Sequence, residues 1–94
     1  MAAYWIAQVD ITDPDAYGKY AALGTGVVES YGGEFLARGS RTVFLEGRER
    51  ARNVVIRFPS VEDAERCYAS DEYQAALSLA DGAFVRDLCI IDGE

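Results

Sequence analysis

The sequence predicts an α+β domain in which one antiparallel sheet carries helices on a single face. Two observations lead to this fold class. Segments with the two-residue alternation of strands are interleaved with segments of helical period. They follow one another in the order strand, helix, strand, strand, helix, strand. The 94 residues suffice for one such unit, so we predict a single domain over residues 1–94.

Tyr4–Ile11 predicts the first strand, because aromatic and β-branched residues dominate it. Its alternation places Trp5, Ala7, Val9 and Ile11 on one face and Tyr4, Ile6, Gln8 and Asp10 on the other. A helix follows, with Pro14 suited to its first position, and it runs to about Tyr31. Glycine at positions 24 and 26 predicts a kink, an irregular turn or a close backbone approach there. The glycine pair at 32 and 33 predicts a left-handed helix end.

The middle of the chain alternates more weakly. Residues 34–39 and 41–46 form β-like runs, which we interpret as one strand with a bulge at Gly39, a tight hairpin being the alternative. Residues 47–52 read GRERAR and predict a solvated hairpin tip, with an anion site as the alternative. Asn53–Phe58 then predicts another strand.

The stretch from Phe58 to Leu79 predicts a second helix in two parts. Pro59 ends the preceding strand, and Ser60 is a good N-cap. The polar pair at positions 70 and 71 interrupts the helical period and can start a second, shorter helix. A closing strand over Phe84–Asp92 has an apolar centre, which favours cover on both of its faces.

These elements follow the ferredoxin-like β-α-β-β-α-β order, with the second helix split. The sheet face away from the helices, with Tyr4, Ile6 and Val55, is too apolar to be left in water. We therefore expect a homodimer that stacks two sheets about a twofold axis and so forms a dimeric α+β barrel.

Composition excludes several classes of partner. The chain has 16 Asp and Glu against 9 Lys and Arg, a net charge of −7. Such a surface repels phosphate backbones and anionic lipids, so we expect no nucleic acid and no membrane partner. No apolar run approaches the roughly 18 residues of a membrane span. The first ten residues lack the basic start of a secretion signal, and we expect a cytoplasmic protein.

The sequence contains no histidine, the commonest general base and metal ligand. Its two cysteines, Cys67 and Cys89, are too far apart for a CxxC motif, and we expect both to be buried thiols. We therefore expect no metal, no other cofactor and no disulfide.

With these residues identified, the chain resembles the domain-of-unknown-function 1330 family of the dimeric α+β barrel superfamily. The resemblance is carried by AYWIAQVDITDPDAYGKYAAL, YGGEFLARG, LEG, RFPS and YASDEYQAAL, which span nearly the whole chain. It implies a ferredoxin-like subunit in a twofold dimer and no particular activity. The family usually has Trp at the position of Cys67 and Arg near Ala80, and this chain departs from both. Superfamily relatives include cofactor-free monooxygenases and haem-degrading enzymes, many of which use a His that is absent here.

We predict a ligand cleft between the sheet and the helices. A helix break at position 70 and the glycines of the first helix both leave space there, and a few polar groups in an apolar space are typical of small-ligand sites. The candidate ligand-binding residues are Gln8, Tyr17, Tyr20, Arg38, Ser70, Glu72 and Tyr73. Arg38 would bind a substrate carboxylate or pair internally with Glu72, and we favour the internal pair.

Two classes of function remain open. The first is a non-catalytic dimer that binds a small apolar or aromatic acid without a metal. The second is a cofactor-free enzyme, either a proton-transfer isomerase, cyclase or lyase, or a monooxygenase-like protein. In an enzyme, Arg38 would orient the acid while a tyrosine or carboxylate moved a proton. The sequence holds no nucleophile-plus-base constellation, so catalytic residues are left unassigned.

Overall fold

The computed structural model describes residues 1–39 and 41–94. The elements are β1 (Ala3–Ile11), α1 (Pro14–Ser30), β2 (Glu34–Ala37), β3 (Arg52–Phe58), α2 (Val61–Ala69), α3 (Asp71–Ser78) and β4 (Phe84–Asp92). The sheet has the strand order β2-β3-β1-β4, and each neighbouring pair is antiparallel. This is the predicted ferredoxin-like α+β fold, which is thereby confirmed.

The two faces of the sheet differ in burial, as the alternation of β1 predicts. Trp5, Ala7 and Val9 are buried on the face that packs against the helices, called the inner face below. Gln8 between them is exposed on the opposite, outer face. Successive side chains of a strand point to opposite faces, so the same division extends to β3 and β4 through their pairing with β1.

The first helix begins and ends as expected but is more regular than predicted. The Asp13 side chain caps it by accepting a 3.3 Å hydrogen bond from the Ala16 N–H. Gly32 beyond its end has φ of 87°, the left-handed conformation that favours glycine. The helix is continuous over all its residues, so the irregular turn predicted at Gly24 is wrong. A Cβ added at Gly24 would meet the Tyr20 ring at 3.4 Å, which is ordinary contact.

Ser70 divides the second helical region in two, as predicted. Its hydroxyl donates a 2.7 Å hydrogen bond to the Cys67 carbonyl at the end of α2. The same oxygen accepts a 3.1 Å hydrogen bond from the Tyr73 N–H, which caps the start of α3. Because one side chain caps both the end of α2 and the start of α3, the break between them is a defined turn and not a frayed helix end.

The middle segment departs from the prediction. The strand ends at Ala37, and residues 41–46 form no regular element. The predicted strand there is wrong: the pairing of β2 with β3 stops at Ala37 opposite Val55, and residues 41–46 pair with no strand. Val43 and Leu45 are accordingly 67% and 88% exposed. A register irregularity lies between Phe35 and Ala37 instead of at Gly39, and Ser40 lies outside the described residues.

Arg50 corrects the prediction of a wholly solvated turn over residues 47–52. Its side chain is buried, with the residue only 4% exposed. Its Nη1 lies 2.9 Å from Asp10 Oδ2 and its Nε lies 3.2 Å from Asp87 Oδ2. The Asn53 amide also donates to the Arg50 carbonyl at 2.9 Å. Arg50 therefore ties this turn to β1 and β4.

The prediction that both cysteines are buried is correct for one of them and wrong for the other. Cys67 is fully buried in α2, whereas Cys89 is exposed on the outer face of β4, and both are free thiols. Burial raises the pKa of Cys67 to about 11, so this thiol is inert at neutral pH. Across the described residues, no helix combines the length and apolar character needed to cross a membrane.

Candidate functional site

A cleft opens between α1 and the inner face of the sheet. The space between its walls is about 440 Å³ with the open solvent at its mouth included, and the centres of water-sized groups can reach about 50 Å³ of it. Its aromatic and charged walls are formed by Trp5, Tyr20, Phe35, Tyr73, Arg38, Arg52 and Arg86. Within the part of the chain that the structure describes, neither aspartate nor glutamate lines it. The cleft is therefore apolar in its walls and cationic in its charges.

Three elements bring Tyr20, Tyr73 and Arg86 together at one side of the cleft. Tyr20 lies on α1, Tyr73 on α3 and Arg86 on β4. The two phenol oxygens are 2.6 Å apart. Arg86 Nη1 donates to the Tyr20 oxygen at 3.0 Å and to the Tyr73 oxygen at 3.2 Å. One guanidinium thus holds two neutral phenols in a closed hydrogen-bonded triangle.

The protonation states of this triangle follow from burial. Burial raises the pKa of Tyr73, the field of Tyr20 raises it further, and Arg86 offsets only part of the rise. Tyr73 therefore stays a phenol, able to donate a proton in a hydrogen bond. Burial acts to lower the pKa of Arg86, but its interactions with Tyr73 and Tyr20 outweigh burial and raise it. The guanidinium is charged at any working pH.

Arg52 adds a second guanidinium on the same row of the sheet. Val9 pairs with Arg52 of β3 on one side and with Arg86 of β4 on the other. The Arg52 guanidinium lies 5.9 Å from the Tyr17 ring centroid. Its Nε atom is buried with no hydrogen-bond partner among the described residues. A buried donor without a partner is costly, so Arg52 retains capacity to bind an acceptor.

Arg38 reaches the cleft from the β2 side. Its guanidinium carbon lies 4.1 Å from the Phe35 ring centroid, and its Nη1 donates to Thr25 Oγ1 at a long 3.5 Å. The predicted pair with Glu72 is wrong. Glu72 instead accepts a 3.4 Å hydrogen bond from the Tyr31 hydroxyl. The partner of Arg38 is Thr25 and the partner of Glu72 is Tyr31. These partners are six residues apart, which corresponds to about 9 Å of helical rise.

The structure brings only part of the predicted site together. Tyr20, Arg38 and Tyr73 line the cleft. Gln8 does not, because its strand position points it to the outer face, so its predicted place under the helices is wrong. Ser70 is engaged in the two helix caps.

Tyr17 is buried beside the cleft rather than in its wall. Its ring packs 5.3 Å from that of Tyr20 and 5.7 Å from that of Phe84, centroid to centroid. Burial raises the pKa of Tyr17, and Tyr20 raises it further while Arg52 and Arg86 lower it in part. Tyr17 thus supports the positions of Tyr20 and Arg52 by packing beside both of them.

Sequence reasoning missed two arginines of the cleft, Arg52 and Arg86. A signal for both was present in the two-residue alternation. Arg86 stands at the inner-face position between Phe84 and Leu88, and Arg52 stands in line with Val54 and Ile56. A charged residue in register with a buried apolar face marks either an internal ion pair or a ligand site.

The described residues offer no cluster of three or more Cys, Asp or Glu side chains suited to a metal ion. What the cleft does offer is a set of guanidinium and phenol donors. Such donors bind and stabilise oxygen anions, and a planar guanidinium can bind a carboxylate with two parallel hydrogen bonds. The arrangement is therefore suited to an organic anion with an apolar body.

Solved structures similar to this chain share its fold at low identity. A protein of unknown function from Rhodopseudomonas palustris is 17% identical with a TM-score of 0.83, covering 99% of this chain and 82% of its own. A dimeric ferredoxin-like protein of unknown function from Jannaschia sp. CCS1 is 13% identical with a TM-score of 0.75, covering 99% and 100%. SnoaB, a cofactor-independent oxygenase from Streptomyces nogalater, is 10% identical with a TM-score of 0.67, covering 99% and 93%.

No curated protein matches the chain. A family model does match, over residues 2–94, and its description is Domain of unknown function (DUF1330). The match spans all four strands and all three helices that the structure describes. The chain therefore belongs to the DUF1330 family.

Proposed function

We propose that the protein binds a small apolar or aromatic acid in the cleft, without a metal. The observation that carries this proposal is that three arginines reach one apolar cleft whose described walls contain no carboxylate. The chain as a whole has a net charge of −7, so three arginines without a carboxylate beside them in one cleft are unexpected from its composition. An organic anion would balance them.

The contacts of Arg86 support this proposal over a purely structural role. Its partners are phenols, which are neutral, so its charge is not neutralised by them. A partly buried cation without a counterion is unfavourable, and an anion bound in the same cleft lowers that cost. The phenols meanwhile hold the guanidinium in place, which reduces the ordering needed when a ligand binds.

The walls indicate the body of the ligand. Trp5, Phe35 and Val54 face the cleft, and these side chains gain most from contact with an apolar or aromatic group. A small planar acid such as benzoate has the two required properties, an ionised carboxylate and an apolar ring. We use it as a probe of the class rather than as the natural ligand.

We also propose that the binding unit is a cytoplasmic homodimer formed through the outer face of the sheet. Val85 and Ile91 are exposed there, next to the half-buried Tyr4, Ile6 and Val55. Two free thiols suit a reducing compartment. Sedimentation at micromolar concentration should give twice the 10.3 kDa mass of the chain. A monomer under these conditions would contradict this part of the proposal.

A second candidate function is a cofactor-free enzyme that moves a proton. The Tyr20–Tyr73–Arg86 triangle favours it, because a phenol beside a guanidinium can donate a proton to, or stabilise, a developing oxyanion. Incubation with small enolisable keto acids in D₂O, followed by NMR, tests it. Exchange at the carbon next to the carbonyl above the buffer rate supports an enzyme, and binding without exchange supports a binding protein.

The binding proposal is tested by calorimetry with benzoate and its neutral analogue benzamide. We expect benzoate to bind, benzamide to bind at least about tenfold more weakly, and Arg38→Met to weaken benzoate by about 10- to 100-fold, the range for a charged hydrogen bond. Arg48→Met is the matched control, since Arg48 is also exposed but lies in the turn and not in the cleft. Equal binding of acid and amide, or an effect of Arg48→Met equal to that of Arg38→Met, would overturn the proposal.

A further inference from the structure

We infer that the cleft contains two separate subsites for oxygen, and that its ligand is an aromatic acid with a phenolic or enolic oxygen opposite the carboxylate. This inference rests on the proposed function and specifies its ligand. It is carried by the positions of the arginines and by the proton count of the two cleft tyrosines.

The two subsites lie at opposite sides of the sheet. Arg38 directly follows β2, one edge strand, and Arg86 lies on β4, the other edge strand. Three strand spacings separate these edges, roughly 14 Å between backbones. Both side chains nevertheless line the same cleft, so their guanidinium groups approach it from opposite sides. A ligand that spans the cleft can therefore meet Arg38 with one end and Arg86 with the other.

The subsite at Arg38 suits an ionised carboxylate. Arg38 is exposed, and its hydrogen bond to Thr25 Oγ1 is long, at 3.5 Å. Stacking on the Phe35 ring at 4.1 Å holds the guanidinium plane without using its N–H groups. Those N–H groups are thus available to form the two parallel hydrogen bonds that a carboxylate accepts.

The subsite at Arg86 suits a single oxygen that accepts a proton in a hydrogen bond. Tyr20 and Tyr73 have two hydroxyl protons, and one of them is used in the 2.6 Å bond between the two oxygens. Arg86 is a donor only, so it cannot accept the other proton. Among the described residues, the second hydroxyl proton has no acceptor. The tyrosine that retains it can therefore donate to a ligand oxygen.

The chemistry of that acceptor follows from its neighbours. Tyr20 and Tyr73 are both buried, and the acceptor would meet one phenol proton beside one guanidinium. A phenol or enol oxygen can accept a hydrogen bond from the hydroxyl and from the guanidinium together.

The positions of the subsites also predict which isomer binds. A carboxylate at Arg38 and an oxygen at the triangle require the two groups at opposite ends of a planar ring. We therefore expect 4-hydroxybenzoate to bind at least about tenfold tighter than benzoate, the gain from one added hydrogen bond to a charged group. Its isomer 2-hydroxybenzoate, with both groups on one side, should bind no tighter than benzoate.

The experiment is calorimetry of benzoate, 4-hydroxybenzoate, 2-hydroxybenzoate and terephthalate on the full chain. Tyr20→Phe should reduce the gain of 4-hydroxybenzoate over benzoate, each measured on the same variant, to less than about threefold. Tyr73→Phe serves as a second variant should Tyr20→Phe not fold. The isomer comparison on the unaltered protein requires neither variant.

The outcomes separate this inference from the proposed function. If benzoate binds but 4-hydroxybenzoate gains nothing, or gains no more than 2-hydroxybenzoate, the two-subsite inference is wrong and acid binding stands. If terephthalate binds tighter than 4-hydroxybenzoate, the inner subsite is for a carboxylate and the inference is again wrong. If none of the four acids binds, both proposals fail. A gain that persists in Tyr20→Phe and Tyr73→Phe also contradicts the inference.

Discussion

Arg50 and Arg86 are two arginines withdrawn from solvent in one small domain, and they have opposite kinds of partner. Arg50 lies between Asp10 and Asp87, at 2.9 and 3.2 Å, so its charge is compensated within the chain. Arg86 lies against two neutral phenols, at 3.0 and 3.2 Å. The geometry of the two is similar, but the charge balance is not.

This difference separates a structural arginine from one that can bind a ligand. Arg50 has two carboxylates and one positive charge, so it has no remaining need of an anion. Arg86 is positioned equally well but keeps its charge, and it faces a cleft rather than a turn. The number of donors around a site is thus less informative than whether their charge is already matched.

The largest expected effect is a loss of unfolding free energy when Arg50, the arginine paired with two carboxylates, is replaced. Arg50→Met would leave Asp10 and Asp87 close together without a cation. Because both carboxylates are partly exposed, we expect a loss of about 2 kcal/mol in unfolding free energy, below the 3–5 kcal/mol of a fully buried pair. Urea denaturation measures it. Arg48→Met, in the same turn, should change stability by less than about 0.5 kcal/mol, and equal effects of the two would remove the contrast.

Alkaline pH should lower the unfolding free energy of the protein while its arginines stay charged. The folded pKa of Cys67 is about 11, above its ordinary value, so the unfolded chain loses this proton first as pH rises. The folded state then binds more protons, and stability falls with rising pH. We expect a loss of about 1 kcal/mol by pH 10, since one pKa unit corresponds to 1.4 kcal/mol.

The raised pKa of Tyr73 and Tyr17 acts in the same direction at higher pH. Cys67→Ala isolates the thiol: its unfolding free energy should fall less steeply than that of the original chain between pH 9 and 11. Parallel slopes in urea series across this range would show that the Cys67 thiol does not control the loss.

The smallest expected effect on folding is at the uncompensated arginine. Arg86→Met removes one partly buried charge that has no counterion, and the two phenols keep the hydrogen bond between them. We expect unfolding free energy to change by less than about 1 kcal/mol, because removing an unpaired charge offsets the lost hydrogen bonds. Urea denaturation beside Arg50→Met gives the comparison directly. A loss as large as that of Arg50→Met would place Arg86 in the structural class.

Much of the fold was predictable because its signals are local. Pro59 and Ser60 mark a strand end and a helix start, and Ser70 marks the helix break, each through its own backbone chemistry. Residues 41–46 could not be predicted this way. Their alternation is strand-like, but strand formation depends on actual pairing with another strand, and that is a property of the assembled sheet.

The site was predictable only in part, for a related reason. Tyr20, Arg38 and Tyr73 stand out by residue type, but which of them meet depends on the order of the strands. Arg86 was hidden by the apolar run that follows it. Gln8 was placed in the cleft by its polarity, although its position in the alternation assigns it to the outer face. Where residue type and alternation disagree, the alternation is the better guide.

The central claim, that an acid binds on the inner face beside the uncompensated arginines, is tested most directly by NMR on the benzoate complex. Intermolecular NOEs from the benzoate ring should reach the methyl groups of Ala7, Ala21 and Val54, which line the cleft. NOEs to Ile6, Val55 or Ile91 of the outer face instead would place the ligand on the other side of the sheet and contradict the account.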